Sequence, residues 1–234
     1  MERLDKILSE AGVCSRRDCF RLARRGLITV DGKVVSDASG KIADGVRIEV
    51  DGKPVQRRRE VVCIMNKPAG FVTSTEDKLS RTVMELLPED ILMQKVVPAG
   101  RLDKDTEGLL VFTNNGDFLH HLISPRSNVP KTYYVEHEGT VSDEAVKSAA
   151  QGIVLKDGTV CRSASIVRLE EGRSEITITE GMYHQVKRMF AAIGCHVTYL
   201  RRIQIGGVSL GDLAPGQVRE LGPEETSMLT VTCM

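Results

Sequence analysis

Apolar residues along this chain occur mainly in short runs and period-two alternations, with a few stretches of helical spacing between them. From residue 61 onward six segments have strand character, at 61–65, 109–113, 132–136, 163–169, 175–179 and 197–205. Helical spacing predicts four helices between them, at 82–87, 117–123, 143–151 and 184–193. Because the strands cluster and no regular strand-helix-strand alternation occurs, the pattern predicts an α+β fold with a mostly antiparallel sheet.

The first fifty residues predict a smaller, separate unit. Residues 4–11 place apolar side chains at helical spacing, and a second helix is predicted to begin after Ser15 and to stop at Gly26. Asp31-Gly32 between two apolar runs is a strong hairpin signal, and 46–50 predicts a further strand. We therefore expect a small domain over 1–50, a linker over 51–60 and a larger domain over 61–234.

The charges of the chain are unevenly distributed. The 234 residues hold 32 Lys and Arg against 32 Asp and Glu, yet residues 1–60 hold fourteen basic and ten acidic side chains. The excess is concentrated in the second predicted helix, at Arg16, Arg17, Arg21, Arg24 and Arg25. A basic helix face of this kind fits either a polyanionic partner or a solvated surface.

Several protein classes can be set aside. No apolar run approaches the roughly 20 residues that span a bilayer, and the start Met-Glu-Arg-Leu-Asp-Lys is too charged for a signal peptide. No Cys-x-x-Cys pair occurs, so we expect reduced thiols, no structural zinc and a cytoplasmic location. The six cysteines concerned are Cys14, Cys19, Cys63, Cys161, Cys195 and Cys233.

Three polar loops that contain glycine adjoin predicted strands or helices, at 66–70, 100–108 and 180–188. Loops held by a rigid scaffold are the usual place for functional residues. Asp103 in the second loop fits either a catalytic carboxylate or a turn residue. In the third, the apolar stripe of the following helix leaves His184, Lys187 and Arg188 on a cationic face, which could meet an anion or solvent.

Three strings in these regions resemble the active-site motifs of the RsuA-type branch of the pseudouridine synthases, and they occur in the family's order. They are Gly100-Arg101-Leu102-Asp103-x-x-Thr106-x-Gly108-Leu109-Leu110, Lys131-Thr132-Tyr133, and Glu180-Gly181-x-Tyr183-His184-Gln185-Val186-Lys187-Arg188-Met189. Residues 200–207 and 212–216 fit the family's closing strands. Residues 1–50 resemble the S4-type RNA-binding domain that precedes the catalytic domain in this branch.

The resemblance implies that the chain isomerises a uridine in RNA, by breaking the bond from C1′ to N1 and rejoining C1′ to C5. It assigns Asp103 to the attack on C1′ or to removal of the 2′ proton, two paths that the sequence leaves open. Lys187 would pair with that carboxylate and keep it ionised. Tyr133 would pack against the base and is a candidate for removal of the C5 proton; the alternative is a sheet aromatic. Arg101 would support the extruded nucleotide, and the chemistry implies neither cofactor nor metal.

The implied partner is ribosomal RNA, in an assembling particle, bound by a monomer. The five arginines from Arg16 to Arg25 would contact phosphates, while His184 and Arg188 would contact the substrate. The third motif is most similar to that of family members that modify uridine 516 of 16S rRNA. The alternatives are a 23S rRNA target, a non-catalytic ribosome-assembly factor, and a hydrolase that would use Asp105 or Glu107 as a second carboxylate.

Overall fold

The computed structural model describes residues 1–43, 45–55 and 60–231. The chain divides into two compact units, Met1–Arg59 and Glu60–Met234. Both combine helices with sheets in which nearly every strand pair is antiparallel, which confirms the predicted α+β class. None of the described helices combines the length and the apolar character needed to cross a membrane.

The smaller unit consists of two helices and short strands. The elements are β1 (Glu2–Arg3), α1 (Leu4–Glu10), α2 (Arg16–Arg24), β2 (Ile28–Val30), β3 (Lys33–Val34), β4 (Lys41–Ile42), β5 (Ile48–Val50) and β6 (Lys53–Pro54). The four-stranded sheet has the order β3-β2-β5-β6, and β1 pairs separately with β4. The predicted helices and the Asp31-Gly32 hairpin are present, whereas β6 lies within the segment predicted as a linker. Residues 56–59, with three of its arginines, lie outside the described residues.

Helix α2 begins as its sequence predicts. The Ser15 hydroxyl accepts a hydrogen bond from the backbone N–H of Asp18 at 3.2 Å, which satisfies one of the free donors at the helix start. Cys14 precedes the cap and Cys19 lies in the first turn, and their sulfur atoms are 2.7 Å apart, so this pair occupies the positions of a hydrophobic staple. Cys19 and Ala23 are buried against α1 and the sheet, while the five arginines of the basic cluster are exposed.

Ser15→Ala should lower the stability of the smaller unit by about 1 kcal/mol, because the N–H of Asp18 loses its acceptor. Urea unfolding followed by far-ultraviolet circular dichroism measures this change. Ser15→Thr retains a hydroxyl acceptor and should stay within a few tenths of a kcal/mol of the wild type. Equal losses in the two variants would contradict a role for the cap.

The larger unit contains a nine-stranded mixed sheet with helices beside it. Its free cysteines Cys63, Cys161 and Cys195 are buried, and Cys233 lies outside the described residues. The elements are β7 (Val62–Lys67), α3 (Glu89–Met93), β8 (Val97–Ala99), β9 (Glu107–Thr113), α4 (Gly116–Ile123), β10 (Lys131–Glu138), α5 (Asp143–Gln151), β11 (Ser165–Glu170), β12 (Arg173–Ile178), α6 (Gln185–Ala192), β13 (His196–Ile205), β14 (Val208–Ser209), β15 (Val218–Glu220) and α7 (Pro223–Met228), with 3₁₀ helices at Val83–Leu86 and Pro125–Ser127.

The large sheet has the order β11-β12-β10-β13-β9-β7-β15, with β14 added to β13 and β8 to β9. Strands β7 and β9 are buried on both faces. Along β9, Leu110 and Phe112 belong to one core cluster, while Leu109 and Val111 belong to the other. This follows from the period-two alternation of side chains, and it explains why β9 has a continuous apolar sequence.

One strand pair departs from the antiparallel rule. Strand β9 pairs with β13 in parallel, and Gly108 lies opposite Arg202. Gly108 has φ +101°, and a Cβ built on it would lie 2.2 Å from the carbonyl oxygen of Arg202. Only glycine fits at this position. The close approach joins the start of β9, and with it the loop that contains Asp103, to the middle of β13.

Candidate active site

The loop that precedes β9 holds Asp103 between two fixed points. On one side, the Thr73 hydroxyl donates to the carbonyl oxygen of Leu102 at 2.9 Å, and the Leu102 N–H donates to that hydroxyl at 3.1 Å. On the other side, the Thr106 N–H donates to the carbonyl oxygen of Asp103 at 3.1 Å and closes a turn. The backbone on both sides of Asp103 is therefore anchored before substrate binds.

Lys67 at the end of β7 stabilises this turn by hydrogen bonds to its backbone. The side chain is fully buried, and its ammonium donates to the carbonyl oxygens of Thr106 at 2.8 Å, Pro68 at 3.1 Å and Lys104 at 3.3 Å. Burial lowers the pKa of Lys67 to about 8, an effect that nearby carboxylates, with Glu107 the largest contributor, partly oppose. The sequence contained a signal for this burial, because Lys67 follows the apolar strand residues 61–65 and Asn66 directly.

Helix α6 brings Lys187 to the same loop. The ammonium donates to both carboxylate oxygens of Asp105 at 2.7 Å and lies 3.9 Å from Oδ2 of Asp103. Sequence reasoning expected Lys187 to pair with Asp103, whereas its hydrogen bonds are to Asp105 and Asp103 is its second, longer ion-pair partner. The hydrogen bond from Lys187 holds the pKa of Asp105 below its usual value. The ammonium is thus shared between two carboxylates.

His184 approaches Asp103 from the residue that precedes α6. Its Nε2 lies 3.6 Å from Oδ1 of Asp103. The residue has left-handed backbone angles, φ 49° and ψ 33°, which are uncommon outside glycine. Its ring stacks on the exposed Tyr183 ring, with centroids 3.8 Å apart. His184 and Lys187 therefore place two nitrogen groups beside one carboxylate.

Tyr133 lies on β10, directly opposite Arg202 on β13. The residue is 8 % exposed, and its hydroxyl accepts a hydrogen bond from Nη1 of Arg202 at 3.3 Å. Arg202 is 2 % exposed and also donates from Nε to the Leu109 carbonyl oxygen at 2.7 Å. Sequence reasoning assigned no role to Arg202. The sequence did contain a signal: Arg202 follows Leu200 by two residues in a strand, so the two side chains lie on the same face, and Leu200 is buried.

These side chains line one cavity of about 600 Å³. Asp103, Arg101, Tyr133 and His184 all border it, and Lys187 reaches its Asp103 edge. Arg188 instead forms an ion pair with Asp157. Arg16, Arg17, Arg21, Arg24 and Arg25 belong to the other unit, where Arg21 pairs with Asp18.

The arrangement suits chemistry at a glycosidic bond. A carboxylate at the cavity edge can act as nucleophile or base, and the Lys187 ammonium lies 3.9 Å from its Oδ2. The buried aromatic ring offers a surface for a planar base, and the fixed loop supplies orientation. Asp105, which a hydrolase would need as a second carboxylate for water, instead accepts both hydrogen bonds from Lys187.

Comparisons with known proteins agree with this geometry. The family model described as RNA pseudouridylate synthase matches residues 61–192, and the S4 domain model matches residues 2–48. A solved structure titled "Crystal structure of pseudouridylate synthase" superposes with a TM-score of 0.70 at 32% identity, covering 98% of this chain and 100% of that one.

Two curated relatives match over nearly their whole length. Ribosomal small subunit pseudouridine synthase A of Escherichia coli K12 is 40% identical, over 95% of this chain and 97% of its own. Ribosomal large subunit pseudouridine synthase B of Bacillus subtilis is 37% identical, over 98% of this chain and 96% of its own. Residues of the three motifs border one cavity, and an S4 domain precedes them in the sequence. The chain therefore belongs to the RNA pseudouridylate synthase family, in its RsuA-type branch.

Proposed function

We propose that this pseudouridine synthase modifies uridine 516 of 16S rRNA. The observation that supports this target is the match to the small-subunit enzyme of E. coli over 95% of this chain, together with the third-motif string from Tyr183 to Met189. The large-subunit enzyme of B. subtilis is 37% identical, so a 23S rRNA uridine is the second candidate.

In the proposed mechanism Asp103 acts on the ribose and Tyr133 holds the base. The uridine must first leave its stack, which costs a few kcal/mol that contacts with the enzyme offset. Arg101 at the cavity edge supports the extruded nucleotide, and His184 and Arg188 provide further substrate contacts. Tyr133 is also the candidate for removing the C5 proton after C1′ has been joined to C5.

We further propose that residues 1–50 bind RNA and that residues 51–60 link them to a catalytic domain over 61–234. The enzyme would act in the cytoplasm as a monomer, on an assembling ribosomal particle. The exposed α2 arginines would contact phosphates without reading sequence. These contacts raise affinity for RNA and leave the chemical step to the larger unit.

Pseudouridine mapping of ribosomal RNA tests the target. Carbodiimide-dependent reverse-transcription stops are compared between a strain that lacks the gene and strains that express the wild type or Asp103→Asn. We expect a stop at position 516 of 16S rRNA that vanishes with the gene and returns only with the wild type. A lost 23S rRNA stop would replace the proposed target, and no lost stop in any RNA would favour a binding protein without activity.

Replacing Arg17 and Arg24 together by Gln should weaken RNA binding and reduce its salt dependence. Each lost phosphate contact lowers the slope of log K against log salt by about 0.7 to 0.9. Filter binding between low and moderate salt gives the slope. The matched control is Arg47→Gln, an exposed arginine of the same unit outside α2; an equal change in slope there would contradict a specific role for the helix.

A further inference from the structure

Arg202 is a buried cation with no carboxylate ion-paired to it among the residues that the structure describes. Its hydrogen bonds from Nε and Nη1 go to neutral oxygens, those of Leu109, Tyr133 and Arg101. Its Nη2 is buried and finds no hydrogen-bond partner within the described residues. A buried guanidinium left in this state costs free energy, which an anion at the same place would recover.

Lys131 is a second cation on the same face. It precedes Tyr133 by two residues on β10, so the two side chains point to the same side of the sheet. Its ammonium donates to the neutral carbonyl oxygen of Val129 at 3.1 Å. Burial, and then the charge of Arg202, lower the pKa of Lys131 to about 8. Both cations line the cavity that Asp103 borders, and Lys131 has no ion pair within the described part of the chain.

Depth within the cavity limits what anion can reach these groups. Arg101 and Lys104 at the rim are exposed, whereas Arg202 is 2 % and Tyr133 is 8 % exposed. A flipped nucleotide enters a pocket with its base foremost, so its phosphates would stay at the rim. The part of an extruded nucleotide that enters deepest is its base, which is neutral when bound and becomes anionic during the reaction.

We propose that Arg202 and Lys131 stabilise the detached uracil anion between cleavage of the old bond and formation of the new one. When C1′–N1 breaks, its electron pair stays on the base, and the negative charge spreads over N1, O2 and O4. C1′ gains its replacement bond from Asp103, or from C2′ if the 2′ proton is lost to Asp103. C5 then attacks C1′ with the electron pair of the anion. On the first path the C1′–O bond to Asp103 breaks and its electron pair returns to the carboxylate; on the second path Asp103 returns the proton to C2′ as the C1′–C2′ double bond is lost. The base is then neutral, and aromatic uracil is restored when C5 loses its proton and N1 gains one.

This role rests on the proposed function and adds two residues to it. Cations fixed before the reaction interact more strongly with the anion than with neutral uracil, so they lower the barrier rather than merely tighten binding. They also hold the base while it turns, which keeps the leaving group from escaping.

The test separates binding from chemistry in Arg202→Met, Arg202→Lys and Lys131→Met. The matched control is Arg201→Met, which removes a neighbouring charge on the opposite face of β13. Single-turnover rates are measured by release of tritium from C5 of labelled RNA, and dissociation constants by filter binding. We expect Arg202→Met and Lys131→Met to react about 10² to 10³ times more slowly, with dissociation constants within about twofold and with partial recovery in Arg202→Lys.

A leaving-group comparison distinguishes charge stabilisation from a structural role. RNA with 6-azauridine at the target releases a more acidic base, so its consumption should depend less on the two cations, and the loss in the Met variants should shrink at least about tenfold. An equal loss with both RNAs, or rates equal to that of Arg201→Met, would overturn the proposal. If Arg202→Met does not fold, Lys131→Met decides alone. An inactive wild type would instead refute the proposed function.

Discussion

Asp103→Asn should abolish pseudouridine formation, with a loss in rate on the order of 10⁴ or more, as for other residues that react directly with substrate. The amide has the shape of the carboxylate but neither its charge nor its nucleophilicity. The side chain is 29 % exposed and makes only the two longer ion pairs with His184 and Lys187 among the described residues. The fold and the affinity for RNA should therefore remain those of the wild type. Single-turnover tritium release and filter binding measure the two quantities.

Asp105→Asn is the matched control for this experiment. Asp105 accepts both short hydrogen bonds from Lys187, so its replacement frees the ammonium to move toward Asp103. We expect a change in rate of less than about tenfold, as for loss of an indirect contact. If Asp105→Asn were as inactive as Asp103→Asn, the two carboxylates would act as a pair, as in a glycosidase.

Gly108→Ala should unfold the larger unit. The new methyl group would lie 2.2 Å from the carbonyl oxygen of Arg202 and 2.8 Å from its nitrogen, and both are backbone atoms at the centre of the sheet that cannot move aside alone. The backbone at φ +101° is also unfavourable for alanine. We expect a loss of about 4 to 5 kcal/mol or more, close to the entire stability of many domains.

Two other glycines separate the causes of this loss. Gly70 has φ +92°, and a methyl group added there would meet no described atom within 4 Å, so Gly70→Ala reports backbone strain alone. Gly116 opens α4 with free space around it, so Gly116→Ala should be neutral or slightly stabilising. We expect the urea midpoint and the soluble yield to be highest for Gly116→Ala, lower for Gly70→Ala and lowest for Gly108→Ala. Equal midpoints for the last two would contradict the importance of the close approach.

Local pattern predicted the elements that pack a strong apolar face. Helix α5 has the predicted bounds, and β9, β10 and β13 lie within a few residues of theirs. The strands β8, β14 and β15 were not predicted because they are two or three residues long and hold their places by pairing with a neighbour. Glu89–Met93 and Pro223–Met228 are helices of one turn or slightly more, too short for a period to show.

The sequence predicted side chains that the structure brings to one cavity, but it did not predict how they pair. Motif strings bring Asp103, Tyr133 and Lys187 to attention, yet they do not tell which carboxylate a lysine reaches, and the nearer one is Asp105. Arg202 was not predicted as a site residue because an arginine in a strand is usually solvated. Its burial follows from the parallel register of β9 and β13, a contact between residues about a hundred positions apart that local sequence does not encode.

The parallel contact between β9 and β13 also bears on how the enzyme is made. A ribosome synthesises the residues of β9, β7 and β10 well before it reaches Arg202, and non-local parallel pairing is slow because a long loop must close first. Until that pairing forms, the Asp103 loop lacks its contact with β13, and the backbone of Glu107 and Gly108 is unpaired on that side of β9. Because Leu200, Arg202 and Ile205 line the cavity, its walls are complete only after the chain has been synthesised through β13.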